Sequence, residues 1–156
     1  MYILKKIGWI LILFSVSLFG TPFTNNGNGT VTDSATGLVW QKCSNGQNND
    51  ANCSGTVGTL TWLNAITYCE GLTLGGRSNW RLPNVNELVI IVDYNKATSP
   101  TINTAAFPGT SFEDLYWSSS TAAQFTSTAW AVDFFDGYVS KNSKSSLKAV
   151  RCVTGP

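Results

Sequence analysis

The spacing of apolar residues between positions 61 and 71 predicts a first helix. Four apolar side chains recur there at positions i, i+3, i+4 and i+7, which places them on one helical face. They are Trp62, Ala65, Ile66 and Cys69. Thr61 is expected to cap the start of this helix and Gly71 to end it.

A second helix is predicted directly after Pro83. The segment Asn84-Val85-Asn86-Glu87 has the spacing of a capping box, with Asn84 as the N-cap residue and Glu87 at the third helical position. The predicted buried face consists of Val85, Leu88, Val89 and Val92. Glu87 is also the acid in the chain that most resembles a catalytic residue, but the capping role already accounts for it.

Turn residues and alternating polarity predict that the rest of the chain is mainly β. A hairpin is expected around the turn Asp136-Gly137, because this dipeptide suits a two-residue type I′ turn. A loop-like region is expected from Tyr94 to Leu115. The predicted strands are Thr30–Asp33, Leu38–Lys42, Tyr116–Ser119, Trp130–Phe135, Tyr138–Lys141 and Ala149–Val153.

The register of this hairpin divides its side chains between two faces. A two-residue turn would pair Phe135 with Tyr138 and Asp133 with Ser140. The face expected to be core holds Trp130, Val132, Phe134 and Val139. The opposite face holds Ala131, Asp133, Phe135, Tyr138 and Ser140. This second face combines aromatic rings with a carboxylate and a hydroxyl, so it is the expected ligand-contact surface. The alternative is a cross-strand aromatic pair that serves the sheet alone.

Basic residues recur after the hairpin, separated mostly by small polar residues. They are Lys141, Lys144, Lys148 and Arg151. Lys141 and Lys144 extend the expected contact surface, where they would meet an anionic polysaccharide. The alternative interpretation is an ordinary solvated loop.

The N-terminal residues have the pattern of a secretory signal. Lys5 and Lys6 precede an apolar run from Ile7 to Phe19, which is shorter than the roughly 20 apolar residues of a membrane-spanning helix. We therefore expect a signal peptide at residues 1–20, a flexible leader at 21–29 and a single domain at 30–154. The mature protein would be secreted, periplasmic or at the cell surface. A retained N-terminal anchor is the alternative.

The composition narrows the range of functions. The chain of 156 residues has a net charge of +1 and only 12% charged residues, so no nucleic-acid partner is expected. The absence of His excludes a Ser-His-Asp triad and His-ligated zinc. No metal and no cofactor are expected. Six Trp, five Tyr and eight Phe argue against a disordered chain.

The four cysteines form an even set, which an oxidising compartment would join into two disulfides. They are Cys43, Cys53, Cys69 and Cys152, and three pairings are open. A bridge from Cys43 to Cys53 would close the Asn- and Gly-rich loop between them. Cys69 and Cys152 would then tie the first helix to the last strand. Metal binding by four thiolates is the rival interpretation, but the chain has no Cys-x-x-Cys pair.

Five short motifs follow one another along the chain. They are Gly37-Leu38-Val39-Trp40-Gln41, Thr61-Trp62-x-x-Ala65-Ile66-x-x-Cys69, Trp80-Arg81-Leu82-Pro83-x-x-x-Glu87-Leu88, Tyr116-Trp117-Ser118-Ser119 and Val150-Arg151-Cys152-Val153. With these motifs, the chain from about Val31 to Val153 resembles the DUF1566 family, also called the Lcl C-terminal domain after a collagen-like adhesin.

The resemblance implies a fold and a function. The family is similar to C-type lectin-like domains, which implies an α+β fold with two helices packed on small antiparallel sheets. It also implies a disulfide from the first helix to the last strand, matching Cys69 and Cys152. Members resembling the adhesin imply binding to glycosaminoglycan or to another surface ligand. The chain lacks the Glu-Pro-Asn or Gln-Pro-Asp loop and the Trp-Asn-Asp strand with which true C-type lectins bind calcium and sugar.

We therefore expect an exported, disulfide-bonded and non-catalytic binding module for a carbohydrate, a glycosaminoglycan, or a cell-surface or extracellular-matrix ligand. The expected contact residues are Asp133, Phe135, Tyr138, Ser140, Lys141 and Lys144. One alternative is a structural component of the cell envelope. Another is a carboxylate-based hydrolase, which would need two acids such as Asp133, Asp136 or Glu113 roughly 5–10 Å apart in one cleft.

Overall fold

The computed structural model describes residues 22–155, so the predicted signal peptide at 1–20 lies outside the described residues. Within this range no helix is long and apolar enough to cross a membrane. The helices are α1 (Trp62–Glu70) and α2 (Val85–Ile90). The strands are β1 (Phe23–Asn25), β2 (Thr30–Asp33), β3 (Val39–Gln41), β4 (Thr59–Leu60), β5 (Leu115–Ala122), β6 (Phe125–Asp133), β7 (Val139–Ser143), β8 (Lys148–Ala149) and β9 (Val153–Thr154).

The strands form two small sheets, and the fold is α+β as expected. The first sheet has the order β1-β2-β3-β9 and is antiparallel. The second has the order β4-β8-β5-β6-β7, in which β5 and β8 run parallel and the other neighbours antiparallel. Because β8 lies in the second sheet and β9 in the first, the last residues of the chain connect the two sheets.

Both predicted helices form close to their expected bounds. At α2 the Glu87 N–H donates to the Asn84 side chain over 2.9 Å and the Asn84 N–H donates to the Glu87 carboxylate over 2.7 Å, so the capping box is confirmed. At α1 the expected cap is wrong, because the Thr61 side chain makes no capping hydrogen bond. The Trp62 N–H lies in the first turn, where backbone N–H groups have no partner inside the helix, and it donates instead to the Lys144 carbonyl over 3.1 Å.

The centre of the second sheet is buried on both faces, so the expectation of an outward face is wrong for Ala131. Tyr116 and Val132 point to one face, where they pack with Leu88 of α2 and with the first sheet. Trp117 and Ala131 point to the other face, where they pack against α1. Ala131, which was expected on the ligand-contact face, is fully buried. A helix on each side of an antiparallel sheet removes the solvent face that a half-buried sheet would have.

The turn of the main hairpin also differs from its expectation. The structure pairs Val132 with Val139, so the register lies two residues away from that of a type I′ turn. Such a turn needs positive φ at both central residues, and here only Gly137 has it, at φ 82°. The Gly137 N–H donates to the Asp133 carbonyl four residues back, over 3.0 Å. The result is a longer turn in which Phe135 lies outside the sheet, while the Tyr138 carbonyl accepts from the Asp133 N–H over 2.8 Å.

Several segments differ from their predicted strand assignments. β4 was not predicted, and β6 begins at Phe125 and ends at Asp133, whereas its predicted bounds were Trp130 and Phe135. The flexible leader expected at residues 21–29 contains β1, whose Phe23 pairs with Asp33 of β2. β5 is longer than its prediction because it continues through an irregularity after Trp117. The predicted closing strand is split into β8 and β9. Residues 150–152 pass between the two sheets, where Cys152 and Gln41 exchange backbone and side-chain hydrogen bonds.

The structure has the disulfides Cys43–Cys53 and Cys69–Cys152. All four half-cystines are buried. The first bridge closes a loop within one stretch of chain, whereas the second joins α1 to the residue before β9. The long-range bridge therefore connects the middle of the chain to its end inside the core beside α1.

Candidate functional site

A polar cleft opens at the turn end of the β6–β7 hairpin, and we call it the loop cleft. It has a volume of about 240 Å³. Its lining consists of Tyr94, residues 96–99, Thr101, Phe135 and Asp136. One wall comes from the irregular segment after α2 and the other from the hairpin turn, so two loops that are distant in sequence form it together.

Hydrogen bonds between these two loops fix the shape of the loop cleft. The Thr101 N–H and hydroxyl both donate to the Phe134 carbonyl, over 2.7 and 3.0 Å. The Ser99 hydroxyl donates to the Phe135 carbonyl over 2.6 Å. The Tyr94 hydroxyl donates to the Gly137 carbonyl over 3.1 Å. The cleft is therefore built on a cross-linked pair of loops.

Aspartates within the turn support its conformation. The Asp133 carboxylate accepts from the Phe135 N–H over 2.7 Å. Asp136 does the same for the Tyr138 N–H over 2.8 Å. These are local side-chain to backbone bonds of the kind that stabilise turns. Two features favour glycine at position 137. Its φ is positive, and an added Cβ would lie 2.6 Å from the Tyr94 ring.

Three aromatic rings are exposed around this end of the hairpin. Tyr94, Phe135 and Tyr138 are 60%, 52% and 64% exposed. Tyr94 and Phe135 line the loop cleft itself. Large apolar side chains that remain this exposed next to a polar cleft are typical of a surface that contacts a ligand.

The structure separates the residues that were expected to form one contact surface. Asp133, Phe135 and Tyr138 lie together at the turn, where Asp133 serves the backbone. Ser140 is paired with Ala131, on the sheet face that α1 covers, and its hydroxyl accepts from the Asn142 side chain over 2.9 Å. The predicted residues therefore do not lie together at one place on the hairpin, and their contact with a ligand stays a prediction.

The two lysines expected in this surface contact other parts of the molecule. The Lys141 ammonium lies 5.4 and 5.3 Å from the ring centroids of Phe125 and Trp130. The Lys144 ammonium lies 3.8 Å from the centroid of Trp62 and donates to the Thr121 hydroxyl over 2.9 Å. Neither lysine lines the loop cleft.

Arg151 is not part of a basic surface, because it is fully buried. Its Nη2 donates to the hydroxyls of Ser44 and Thr110 over 3.1 and 3.0 Å. Its guanidinium also lies 4.9 Å from the Phe107 ring centroid and 5.4 Å from that of Tyr116. Burial lowers the pKa of Arg151 because it disfavours the charged form. Aromatic faces and hydroxyls thus hold a buried cation inside the core.

Glu87 is held by Arg81 and by its own helix. The two terminal nitrogens of Arg81 donate to the two carboxylate oxygens over 2.8 and 2.7 Å. Burial acts to raise the pKa of the Glu87 carboxyl, but the hydrogen bonds from Arg81 and from the Asn84 N–H outweigh it. The pKa therefore lies below its usual value, which suits a permanent anion and not a general acid.

A second, more apolar cavity of about 360 Å³ lies between α2 and the first sheet. Its walls include Ile90, Ile91 and Val92. Asp33, which also lines it, already accepts from the Ala35 N–H and the Thr36 hydroxyl. The loop cleft is the stronger candidate because its lining combines exposed aromatic residues with a charged residue of each sign.

Residues 29–154 match the family model described as the Lcl C-terminal domain. The chain belongs to this family. No curated protein matches the chain. The family assignment agrees with the resemblance that the five motifs indicated.

In this Lcl C-terminal domain the motif residues stabilise the fold. The Trp117 indole donates to the Leu60 carbonyl over 2.9 Å and ties β5 to β4. The Arg81 backbone exchanges two 2.9 Å hydrogen bonds with Val153 of β9. The Gln41 side chain accepts from the Cys152 N–H over 3.1 Å. These contacts account for the motif residues as parts of the scaffold.

Sequence reasoning missed half of the loop cleft. Tyr94, Lys96 and Thr98 lie in a segment without helical or strand periodicity, which was interpreted only as a loop. The available signal was Tyr94 itself, a large aromatic residue between Asp93 and Asn95 in a polar stretch. Exposed aromatic residues in loops that a rigid scaffold holds are frequent binding residues.

Proposed function

We propose that this Lcl C-terminal domain is an exported, non-catalytic binding module that recognises a carbohydrate or another surface ligand, as an adhesin does. The loop cleft and the exposed ring of Tyr138 beside it form the contact surface. The observation that supports this is the group of three exposed aromatic rings at one end of a rigid hairpin. Aromatic faces are suited to sugars, because the weakly positive C–H groups of a sugar meet the negative face of the ring.

We extend the proposal to the fold class, which we assign as C-type lectin-like. Its support is the combination of two helices with small antiparallel sheets and the bridge from Cys69 on α1 to Cys152 beside the last strand. In such a scaffold the regular elements are rigid and the loops provide the contacts.

The charge distribution around the loop cleft supports binding without catalysis. A carboxylate-based hydrolase needs two acids facing one substrate bond. Asp136 lines the loop cleft, whereas Asp133 and Glu113 do not. Asp133 is bonded to the backbone of its own turn. Among the residues that line this cleft, no second acid therefore faces Asp136.

The proposal is tested with the full chain on an array of glycans and extracellular-matrix ligands. Replacing Phe135 and Tyr138 by Ala should abolish retention of the captured ligand. Phe125→Ala is the matched control, because Phe125 is similarly exposed, at 55%, but stands at the far end of β6. Retention that is unchanged by the double substitution would refute the proposed surface. Self-association of the chain without capture of any ligand would favour a structural role in the cell envelope.

A further inference from the structure

We infer that the loop cleft accepts a neutral pyranose ring, in preference to a sulfated or carboxylated sugar. This inference rests on the proposed function and specifies its ligand. The geometry that points to it is the combination of two exposed aromatic residues, Tyr94 and Phe135, with one lysine and one aspartate, Lys96 and Asp136, among the residues that line the same small cleft.

The charge of the loop cleft is balanced. Lys96 is the cation and Asp136 the anion among its lining residues. The two groups cancel at a distance, so the cleft does not attract a polyanion as a basic groove does. A sulfate group brought to Lys96 would also approach the Asp136 carboxylate, and like charges at close range cost binding energy. Lys141 and Lys144, which would favour an anionic polysaccharide, contact rings outside the cleft.

The polar groups of the loop cleft match pairs of sugar hydroxyls. The Lys96 ammonium donates one hydrogen bond to the Ile102 carbonyl over 3.0 Å, so two of its three N–H groups remain for a ligand. One Asp136 oxygen accepts from the Tyr138 N–H, and the other is available. The Thr98 hydroxyl is exposed at the same cleft. Neighbouring hydroxyls of a neutral sugar can donate to the carboxylate and accept from the ammonium, so each group pairs with an opposite partner.

The size of the loop cleft limits what enters it. At about 240 Å³ it is smaller than the roughly 300–1,000 Å³ of pockets that enclose drug-sized ligands. We therefore expect a single ring to occupy it, as the end or one unit of a longer glycan. The Tyr94 and Phe135 rings supply the apolar walls on which the C–H face of that ring stacks. One ring with few polar contacts binds weakly, with a Kd on the order of 1 mM.

Saturation-transfer NMR on the full chain tests this inference, because the method detects weak binding. The probes are the methyl glycosides of glucose, galactose, mannose and N-acetylglucosamine, with a sulfated heparin disaccharide as the anionic probe. We expect transfer to at least one neutral glycoside, with little change between 0.05 and 0.5 M NaCl, since no net charge drives the binding. Transfer confined to the sulfated disaccharide, and lost at high salt, would overturn the inference.

Three substitutions connect binding to the loop cleft. Phe135→Ala, Lys96→Gln and Asp136→Asn should each raise the Kd of the bound glycoside at least fivefold. Asp136→Asn keeps an oxygen that accepts from the Tyr138 N–H, so the turn should fold normally, which a thermal unfolding scan checks. Phe125→Ala should leave the Kd unchanged. Neutral binding that survives all three substitutions overturns the assignment to the cleft and the contact surface proposed above, but not a carbohydrate-binding role elsewhere on the domain. Absence of binding to every glycan on the array and in solution overturns both.

Discussion

The two disulfides allow a quantitative test of how the fold is stabilised. Cys69–Cys152 closes a loop with a sequence separation of 83 residues, and Cys43–Cys53 closes one of 10. A cross-link restricts the unfolded chain more when its loop is longer. In the chain-entropy model the long bridge contributes about 4.5 kcal/mol to the free energy of unfolding and the short bridge about 2.7 kcal/mol.

The two disulfides can be compared directly because they are equally buried. All four half-cystines are at most 3% exposed, so replacing either pair by Ala removes similar buried sulfur surface. The packing losses then largely cancel between the two variants. The remaining difference of about 2 kcal/mol reflects loop length alone.

Urea denaturation of the two double variants measures this difference. We expect the Cys69→Ala/Cys152→Ala protein to lose about 2 kcal/mol more free energy of unfolding than the Cys43→Ala/Cys53→Ala protein. Its m value should also increase more, because its unfolded chain expands further. Equal losses, or a larger loss from the short bridge, would refute the loop-length reasoning. Peptide mapping of the unreduced wild-type chain checks the pairing itself.

Four other substitutions test individual contacts. Glu87→Ala should lower the free energy of unfolding by about 1–2 kcal/mol, since it removes the helix cap and the Arg81 contact, and calorimetry measures this. Because the folded-state pKa of Glu87 is lowered, its stabilisation is complete above the unfolded-state pKa of about 4.3 and is lost as the pH falls through the lower folded-state pKa. Thermal unfolding of Glu87→Gln between pH 6 and 3 should therefore depend less on pH than that of the wild type, and parallel curves would contradict this. Gly137→Ala should cost about 1–2 kcal/mol in chemical denaturation, because it strains a residue at positive φ and pushes against Tyr94; an unchanged midpoint would show that the turn relaxes freely. Arg151→Lys should cost at least about 1.5 kcal/mol in urea denaturation, since it removes the guanidinium plane that contacts the Phe107 and Tyr116 rings and donates to two hydroxyls, and wild-type stability would rule out that role.

Local sequence patterns were sufficient to predict the elements that depend on neighbouring residues. The capping box at Asn84 and Glu87 needs only four consecutive residues, and the structure has both of its hydrogen bonds. The helical face that includes Ala65 and Cys69 follows from 3.6-residue periodicity, and both residues are buried. The strand Thr30–Asp33 also has its predicted bounds, because the turn residues next to it in the sequence end the strand.

The turn of the β6–β7 hairpin and the loop cleft depend on contacts between distant segments, and sequence reasoning missed both for that reason. Asp136-Gly137 is compatible with a tight type I′ turn, but Ser99 and Thr101 bond to the carbonyls of Phe135 and Phe134 in the longer turn that forms instead. No local pattern reveals these bonds, because their partners lie more than 30 residues apart in the chain. Half of the loop cleft was missed for the same reason. It exists only where two loops meet.

The position of β9 has a consequence for the order in which the domain assembles. This strand completes the first sheet by pairing with β3 near the start of the domain, and the residue before it supplies the sulfur that bonds to α1. A chain that emerges N-terminus first can form the Cys43–Cys53 bridge and the β6–β7 hairpin early, since both are local. The first sheet cannot be completed until β9 has been synthesised. Before that point the core of the domain is incomplete and its apolar surface is exposed, so chaperone binding matters most while β9 is still missing.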